Sequence, residues 1–372
     1  MIERESCYFC TSPFQLLAII SIAKERGESA DLYIDSQFST AQVLGIRVQK
    51  TGLFDNVKII DIKCICKQYL TVGPGLRNHF QIVKTYLHVN EIAKSILLEN
   101  VNYQNIFLSS KAYLPRMVQL YFIKNNKNIN TYYFDDGTGS YENNRAYRIK
   151  TADKIIRRLL FGKKSTKTDY NRYLFSPSIY YTLNGKCADN IKEIKKNWEI
   201  PSGRVYINEV FGIIQKIDIP EKIIILDQPK DELFIHNDIK IIEDIYNRII
   251  ETVGSDNAIV KKHPRSSDAD FKNIKCFKEQ KIPFELLCMN TNMDDKILIT
   301  YSSTAVSTPK ILFDQEPIVI VLTKLIKPKT GETDLFAAFF NAVKMSYRKP
   351  DRFLIPTNMN DFNEIVSTLR RK

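Results

Sequence analysis

Ser6-Cys7-Tyr8-Phe9-Cys10-Thr11 is an apolar run of strand character, the stretch Phe14 to Arg26 behind it carries apolar residues at helical spacing, and Asp31-Leu32-Tyr33-Ile34-Asp35 is a second strand-like run. Strand, helix and strand in that order form a βαβ unit, which builds parallel sheet. The alternation continues through Val57 to Ile62, Asn105 to Leu108 and Thr131 to Phe134 as strands, with His79 to Leu98 and Tyr113 to Lys124 as helices. A second series starts at Lys222. Its strands read Ile223 to Leu226, Ala258 to Val260, Ile274 to Phe277, Ile297 to Thr300 and Ile318 to Val321, with helical patterns at Asp238 to Val253 and Val306 to Phe313.

The sequence therefore predicts an α/β protein of two Rossmann-like domains. A chain of 372 residues is in any case too long for one ordinary core. The expected division is 1–200 for the first domain, 201–355 for a nucleotide-binding second domain, and 356–372 for a C-terminal helix packing back on the first. Gly185 to Pro220 lacks sustained periodicity and reads as the linker, while Asp361 to Lys372 reads as a capped helix with a basic end.

With 44% hydrophobic and 26% charged residues the composition is that of a globular protein. Phe14 to Ala23 contains Gln15 and Ser21 and is too short to span a bilayer, and no basic segment with a cleavage site precedes it, so a cytoplasmic location is expected. Of seven cysteines, Cys7 with Cys10 and Cys64 with Cys66 are closely spaced, but no second Cys/His pair completes a zinc site, which leaves free thiols and no metal. A net charge of +12 and a pI near 9.1 favour an anionic partner: nucleic acid, anionic lipid or a negatively charged substrate.

Arg145 to Arg172 is the most basic region, with Arg148, Lys150, Lys154, Arg157, Arg158, Lys163, Lys164 and Lys167 around Ile155-Ile156 and Leu159-Leu160-Phe161. Such a basic amphipathic helix suits an anionic membrane surface, here the inner face of the cell membrane; the same pattern also fits a helix whose apolar side faces the core. Aromatic residues do not alternate with basic ones here and no RNA- or DNA-binding motif is present, so nucleic acid is not the expected partner.

Candidate site residues cluster where predicted strands end, the edge at which open α/β sheets bind ligands. His263-Pro264-Arg265 follows the strand ending at Val260 and offers an imidazole and a guanidinium fork to oxygen anions. Ser302-Ser303-Thr304 follows Thr300 and opens a helical segment, so hydroxyls and backbone amides would face a phosphate; an ordinary N-cap fits the same residues. Glu285 is an acid in an otherwise apolar stretch, placed to accept from ribose hydroxyls. Asp227-Gln228-Pro229-Lys230-Asp231-Glu232 ends the first strand of the second series, with Asp231 a candidate general base or a helix N-cap. In the first domain Asp135-Asp136-Gly137 ends a strand, one carboxylate facing the ligand and the other bracing the turn. Asp268-Ala269-Asp270 has the spelling of a metal-binding motif, but a helix would splay its two acids apart.

Thr11-Ser12-Pro13-Phe14-Gln15, Phe134-Asp135-Asp136-Gly137-Thr138, Gln228-Pro229-Lys230-Asp231-Glu232, His263-Pro264-Arg265 and Ser302-Ser303-Thr304, in that order across nearly the whole chain, resemble the bacterial sialyltransferases of glycosyltransferase family 52. The resemblance implies a GT-B-type pair of Rossmann-like domains with a deep cleft between them, and a homodimer. It also implies inverting, metal-independent transfer from CMP-sialic acid, with no further cofactor, to a terminal galactose of a lipooligosaccharide or capsule glycan. Carried over by residue, Asp231 matches the carboxylate that takes the acceptor proton, His263 the histidine at the CMP phosphate, Ser303 the serine of the phosphate turn and Glu285 the acid before it. Thr11, Ser12, Gln15, Gln228, Arg265, Ser302 and Thr304 complete the expected binding set. One departure is visible: the family's acid follows its proline directly, whereas Lys230 intervenes here, and Asp136 stands as the rival base. Two other readings share the architecture, a transferase using a nucleoside-diphosphate hexose and a noncatalytic glycan- or nucleotide-binding protein.

Overall fold

The computed structural model describes residues 2–69, 83–109, 113–125, 128–141, 151–166, 171–185, 190–215, 217–228, 236–263, 275–277, 282–325 and 333–369. The chain forms two compact units, Met1–Ile213 and Ile214–Lys372. Each is built on one all-parallel sheet.

The first sheet contains β1 (Ile2–Cys10), β2 (Ala30–Asp35), β3 (Asn56–Ile60), β4 (Val101–Leu108), β5 (Asn130–Phe134), β6 (Asn171–Leu174) and β7 (Asn190–Glu193), in the order β3-β2-β1-β4-β5-β6-β7. The order reverses beside β1, between strands whose crossovers go opposite ways, so the turn after β1 borders a crevice. Register is visible in the side chains: Tyr8, Phe107 and Tyr132 lie level on β1, β4 and β5, and their rings stack at 4.3 and 4.7 Å. Three residues beyond that level come Thr11 and Asp135.

Strands β6 and β7 fall outside the sequence expectation. Within Asn171–Leu174 the buried Arg172 interrupts the apolar signal; its guanidinium donates to the Ser140 carbonyl at 3.1 Å and lies over the Tyr180 ring. The edge strand Asn190–Glu193 is largely exposed and reads as a polar segment. The described residues of the expected linker include β7 and the helix Pro201–Phe211, which belongs to the first unit, so that unit extends to 213 rather than the expected 200. Tyr206 donates to the Thr51 hydroxyl at 2.8 Å and holds Lys24 Nζ 3.3 Å over its ring, anchoring that helix. Gly203 approaches so closely that an added Cβ would lie 1.8 Å from the Asn197 carbonyl oxygen.

The second sheet contains β8 (Ile223–Leu226), β9 (Ala258–Lys261), β10 (Ile297–Thr300), β11 (Ile318–Val321) and β12 (Phe353–Leu354), ordered β12-β11-β10-β8-β9. Ile-Ile-Ile-Leu, Ile-Leu-Ile-Thr and Ile-Val-Ile-Val are buried along nearly their whole length, as strands covered on both faces must be. Each fully buried Ile or Val contributes roughly 1.5–3 kcal/mol. Among the described residues Lys275 to Phe277 adds a parallel bridge, Val260 to Cys276, and Ile274 of the expected strand lies outside them. The C-terminal helix Met359–Leu369 sets Phe362 and Val366 into the core formed by Ile245, Tyr246 and Ile249. Its apolar stripe thus contributes to the core of the second unit.

Candidate active site

Parallel register fixes which residues meet at the ligand edge of the second unit. Leu226 pairs with Lys261 on one side and with Thr300 on the other, and Thr300 pairs with Val321. The residues following these strands therefore emerge level: Asp227 and Gln228 after β8, Lys262 and His263 after β9, Ser302 and Ser303 after β10. The sheet order reverses between β8 and β10, so this is the switch point of the unit. His263 and Ser303 follow strands two spacings apart, a backbone separation of about 10 Å.

A hydrogen-bonded clasp joins the two strands at the switch. Gln228 Oε1 accepts from both the backbone N–H and the hydroxyl of Ser302, each at 2.9 Å. Thr300 Oγ1 accepts from the Ser303 N–H at 3.0 Å and donates to the Leu226 carbonyl at 2.8 Å. This revises the sequence expectation. Both amides and the buried Ser302 hydroxyl are engaged within the protein, and the helical segment after them begins as a short 3-10 turn, Thr304–Ser307, rather than as an α-helix. The half-buried hydroxyls of Ser303 and Thr304 stand beyond the clasp, and Ser303 makes no side-chain cap bond.

Lys261 and Glu285 face one another electrostatically behind this edge. Burial pushes the Lys261 ammonium down to about 8, against the pull of Glu285, and burial raises the Glu285 carboxyl above its ordinary range, against a hydrogen bond from its own backbone N–H and the charge of Lys261. Glu285 lies in the first turn of the helix Phe284–Asn290. Of the other expected residues, Asp231 and Arg265 lie outside the described residues, as do Pro229, Lys230, Pro264 and the Asp268-Ala269-Asp270 segment.

In the first unit the two carboxylates after β5 differ in burial. Asp135 is buried and braces the turn: Gly137 N–H donates to one carboxylate oxygen at 3.0 Å, while Phe175 N–H, at 3.3 Å, and the Tyr141 hydroxyl donate to the other. Burial lifts its carboxyl to about 7 despite these donors. Asp136 is half-buried; its backbone N–H donates to Ser140 Oγ at 2.8 Å and that hydroxyl donates back to its carboxylate at 2.6 Å. Gly137, at φ 103°, provides the left-handed backbone of the turn. Thr11, Ser12 and Gln15 form a helix cap. Ser12 Oγ accepts from Gln15 N–H at 3.2 Å, while Gln15 Oε1 accepts from the Thr11 N–H and hydroxyl at 2.7 and 3.0 Å.

Comparison with known proteins adds four findings. The family model for alpha-2,8-polysialyltransferase (POLYST) matches residues 7–322. The calicheamicin glycosyltransferase CalG4 is similar in structure with a TM-score of 0.53 at 10% identity, covering 100% of this chain and 91% of its own. The glycotransferase of kitacinnamycin is similar with a TM-score of 0.51 at 10% identity, covering 99% and 91%. No curated protein matches the chain by sequence. The two structural likenesses carry the fold: two parallel-sheet α/β domains of the GT-B glycosyltransferase kind.

Proposed function

Because the chain belongs to the alpha-2,8-polysialyltransferase family, we propose that it moves a sialyl residue from CMP-sialic acid to a glycan hydroxyl, inverting the anomeric carbon and using no metal. It is a glycosyltransferase of the sialyltransferase kind. The observation that carries the donor reading is the switch point of the second sheet, where Ser303 and Thr304 stand beyond the Gln228–Ser302 clasp and His263 follows the strand on the other side of β8. When CMP departs, negative charge gathers on a phosphate monoester, and preorganised donors stabilise it. A monophosphate develops less charge than a diphosphate, so two hydroxyls and an imidazole are a sufficient set. The net charge of +12 favours the anionic donor.

Asp231 is the proposed base for the acceptor hydroxyl, with Asp136 the second candidate. The alpha-2,8 linkage in the family's name supports a sialic acid, reacting through its 8-hydroxyl, as the proposed acceptor. The galactose-terminated acceptor expected from the family 52 resemblance is the alternative, and assays with both acceptors separate them. Thermal unfolding with CMP or UDP tests the donor: CMP at about 100 times its Kd adds roughly 2.7 kcal/mol. His263→Ala and Ser303→Ala should each reduce that shift. Stabilisation by UDP and not by CMP would overturn this reading in favour of a nucleoside-diphosphate sugar.

A further inference from the structure

The helix Thr151–Phe161 divides its side chains in a way its sequence does not disclose. Its inward face holds Ile156 against the core of the first unit and Phe161 edge-on to the Tyr86 ring at 5.5 Å. Arg157 also turns inward and is 5% exposed. It pairs with Asp153 at 3.1 Å and donates from Nε to the Tyr86 hydroxyl at 2.7 Å. Arg157 is therefore part of the packing and not a surface cation.

The outward face carries Ala152, Ile155 and Leu159 at spacings that align them in one stripe, with Ile155 57% and Leu159 81% exposed. Lys154 and Arg158, one turn apart and both exposed, run beside that stripe, and exposed Lys163 and Lys164 follow the helix. The single acid of the helix, Asp153, is committed inward to Arg157 and Tyr86. A scattered exposed Leu needs no explanation, but an aliphatic ridge bordered by cations with no outward acid has a definite complement.

We propose that this face docks on an anionic lipid bilayer, with Ile155 and Leu159 entering the acyl boundary and Lys154, Arg158, Lys163 and Lys164 lying among the headgroups. Other occupants fit less well. Single-stranded nucleic acid would need stacking platforms, and the ridge is aliphatic. A second copy of the chain would set cations against cations across a two-fold axis. The docking is independent of the donor chemistry, so its test requires no turnover. Among the described residues no helix is long and apolar enough to cross a membrane, and the proposal needs none.

Co-sedimentation of the full chain with phosphatidylcholine vesicles, with and without roughly a third phosphatidylglycerol, decides the matter. The wild type should partition to the anionic vesicles only, and less as salt rises. Ile155→Ser with Leu159→Ser should lower partitioning about tenfold or more at every salt concentration with the unfolding midpoint unchanged, because both side chains already face solvent. Lys154→Glu with Arg158→Glu should abolish it at low salt. Equal binding to neutral vesicles, wild-type binding by either double variant, or preference for a single-stranded RNA competitor that the serine variant retains would each overturn the proposal.

Discussion

One side-chain oxygen, Gln228 Oε1, accepts both the backbone N–H and the hydroxyl of Ser302, residues 74 apart in sequence. The clasp ties the ends of β8 and β10 at the point where the second sheet changes direction, and it frees neither group for a ligand. Its function is then to hold the Ser303 turn in place. Gln228→Ala leaves the Ser302 groups without their acceptor at a cost of about 1–3 kcal/mol, measurable in urea. Gln228→Glu keeps an acceptor and so most of the stability. It also places a carboxylate beside the proposed phosphate position, and calorimetric titration should show weaker CMP binding than in the wild type. Equal affinity in the Glu variant would remove the clasp from the donor site.

Among the strands that the sequence disclosed, Ile223 to Leu226, Ile297 to Thr300 and Ile318 to Val321 carry the plainest signal, because two covered faces require unbroken apolar runs. Those it concealed break that signal for identifiable reasons. Arg172 sits in a buried strand because Ser140 and Tyr180 receive its guanidinium, and β7 is a polar edge. At the site, the placement of Ser302, His263 and Asp136 at strand ends was legible from local pattern. That the Ser302 hydroxyl and the Ser303 amide are already spent was not, because their acceptors Gln228 and Thr300 are arranged by the tertiary fold. Arg157 shows the same limit: one of two adjacent arginines is buried and the other exposed, and the buried one is held by Tyr86 from another helix as well as by Asp153.

The choice of base is open to direct measurement. Asp231→Asn should lower kcat by roughly 10²–10⁴-fold while CMP affinity is retained, as for loss of a general base. Asp136→Asn should be much milder. Abolition by Asp136→Asn with near-normal Asp231→Asn would transfer the role to the carboxylate that Ser140 holds.

Arg157 and Arg158 should differ sharply in stability. Arg157→Ala strips the partner from Asp153 and from the Tyr86 hydroxyl within a packed helix face, which should cost roughly 3–5 kcal/mol. Arg158→Ala removes an exposed cation and should stay within about 0.5 kcal/mol of wild type. Chemical denaturation of the two variants in parallel reads the difference, and equal midpoints would contradict the packing described for this helix.

Stability should also depend on pH through Asp135. Its folded carboxyl titrates near 7, raised by burial from an ordinary value near 3.8, so between those values the folded state holds a proton that the unfolded chain has released. The sign follows from linkage: the contribution is complete below pH about 4 and declines as pH rises through about 7, so the first unit loses stability across that window. Urea midpoints between about pH 5 and 8 should therefore fall more steeply in the wild type than in Asp135→Asn, which cannot titrate. The variant should also start lower, because Gly137 N–H and the pair formed by Phe175 N–H and the Tyr141 hydroxyl approach different carboxylate oxygens, and an amide offers an acceptor to only one side. A wild-type profile flat across this range, or one that rises, would mean that the donors from Tyr141, Gly137 and Phe175 outweigh burial and keep Asp135 ionised.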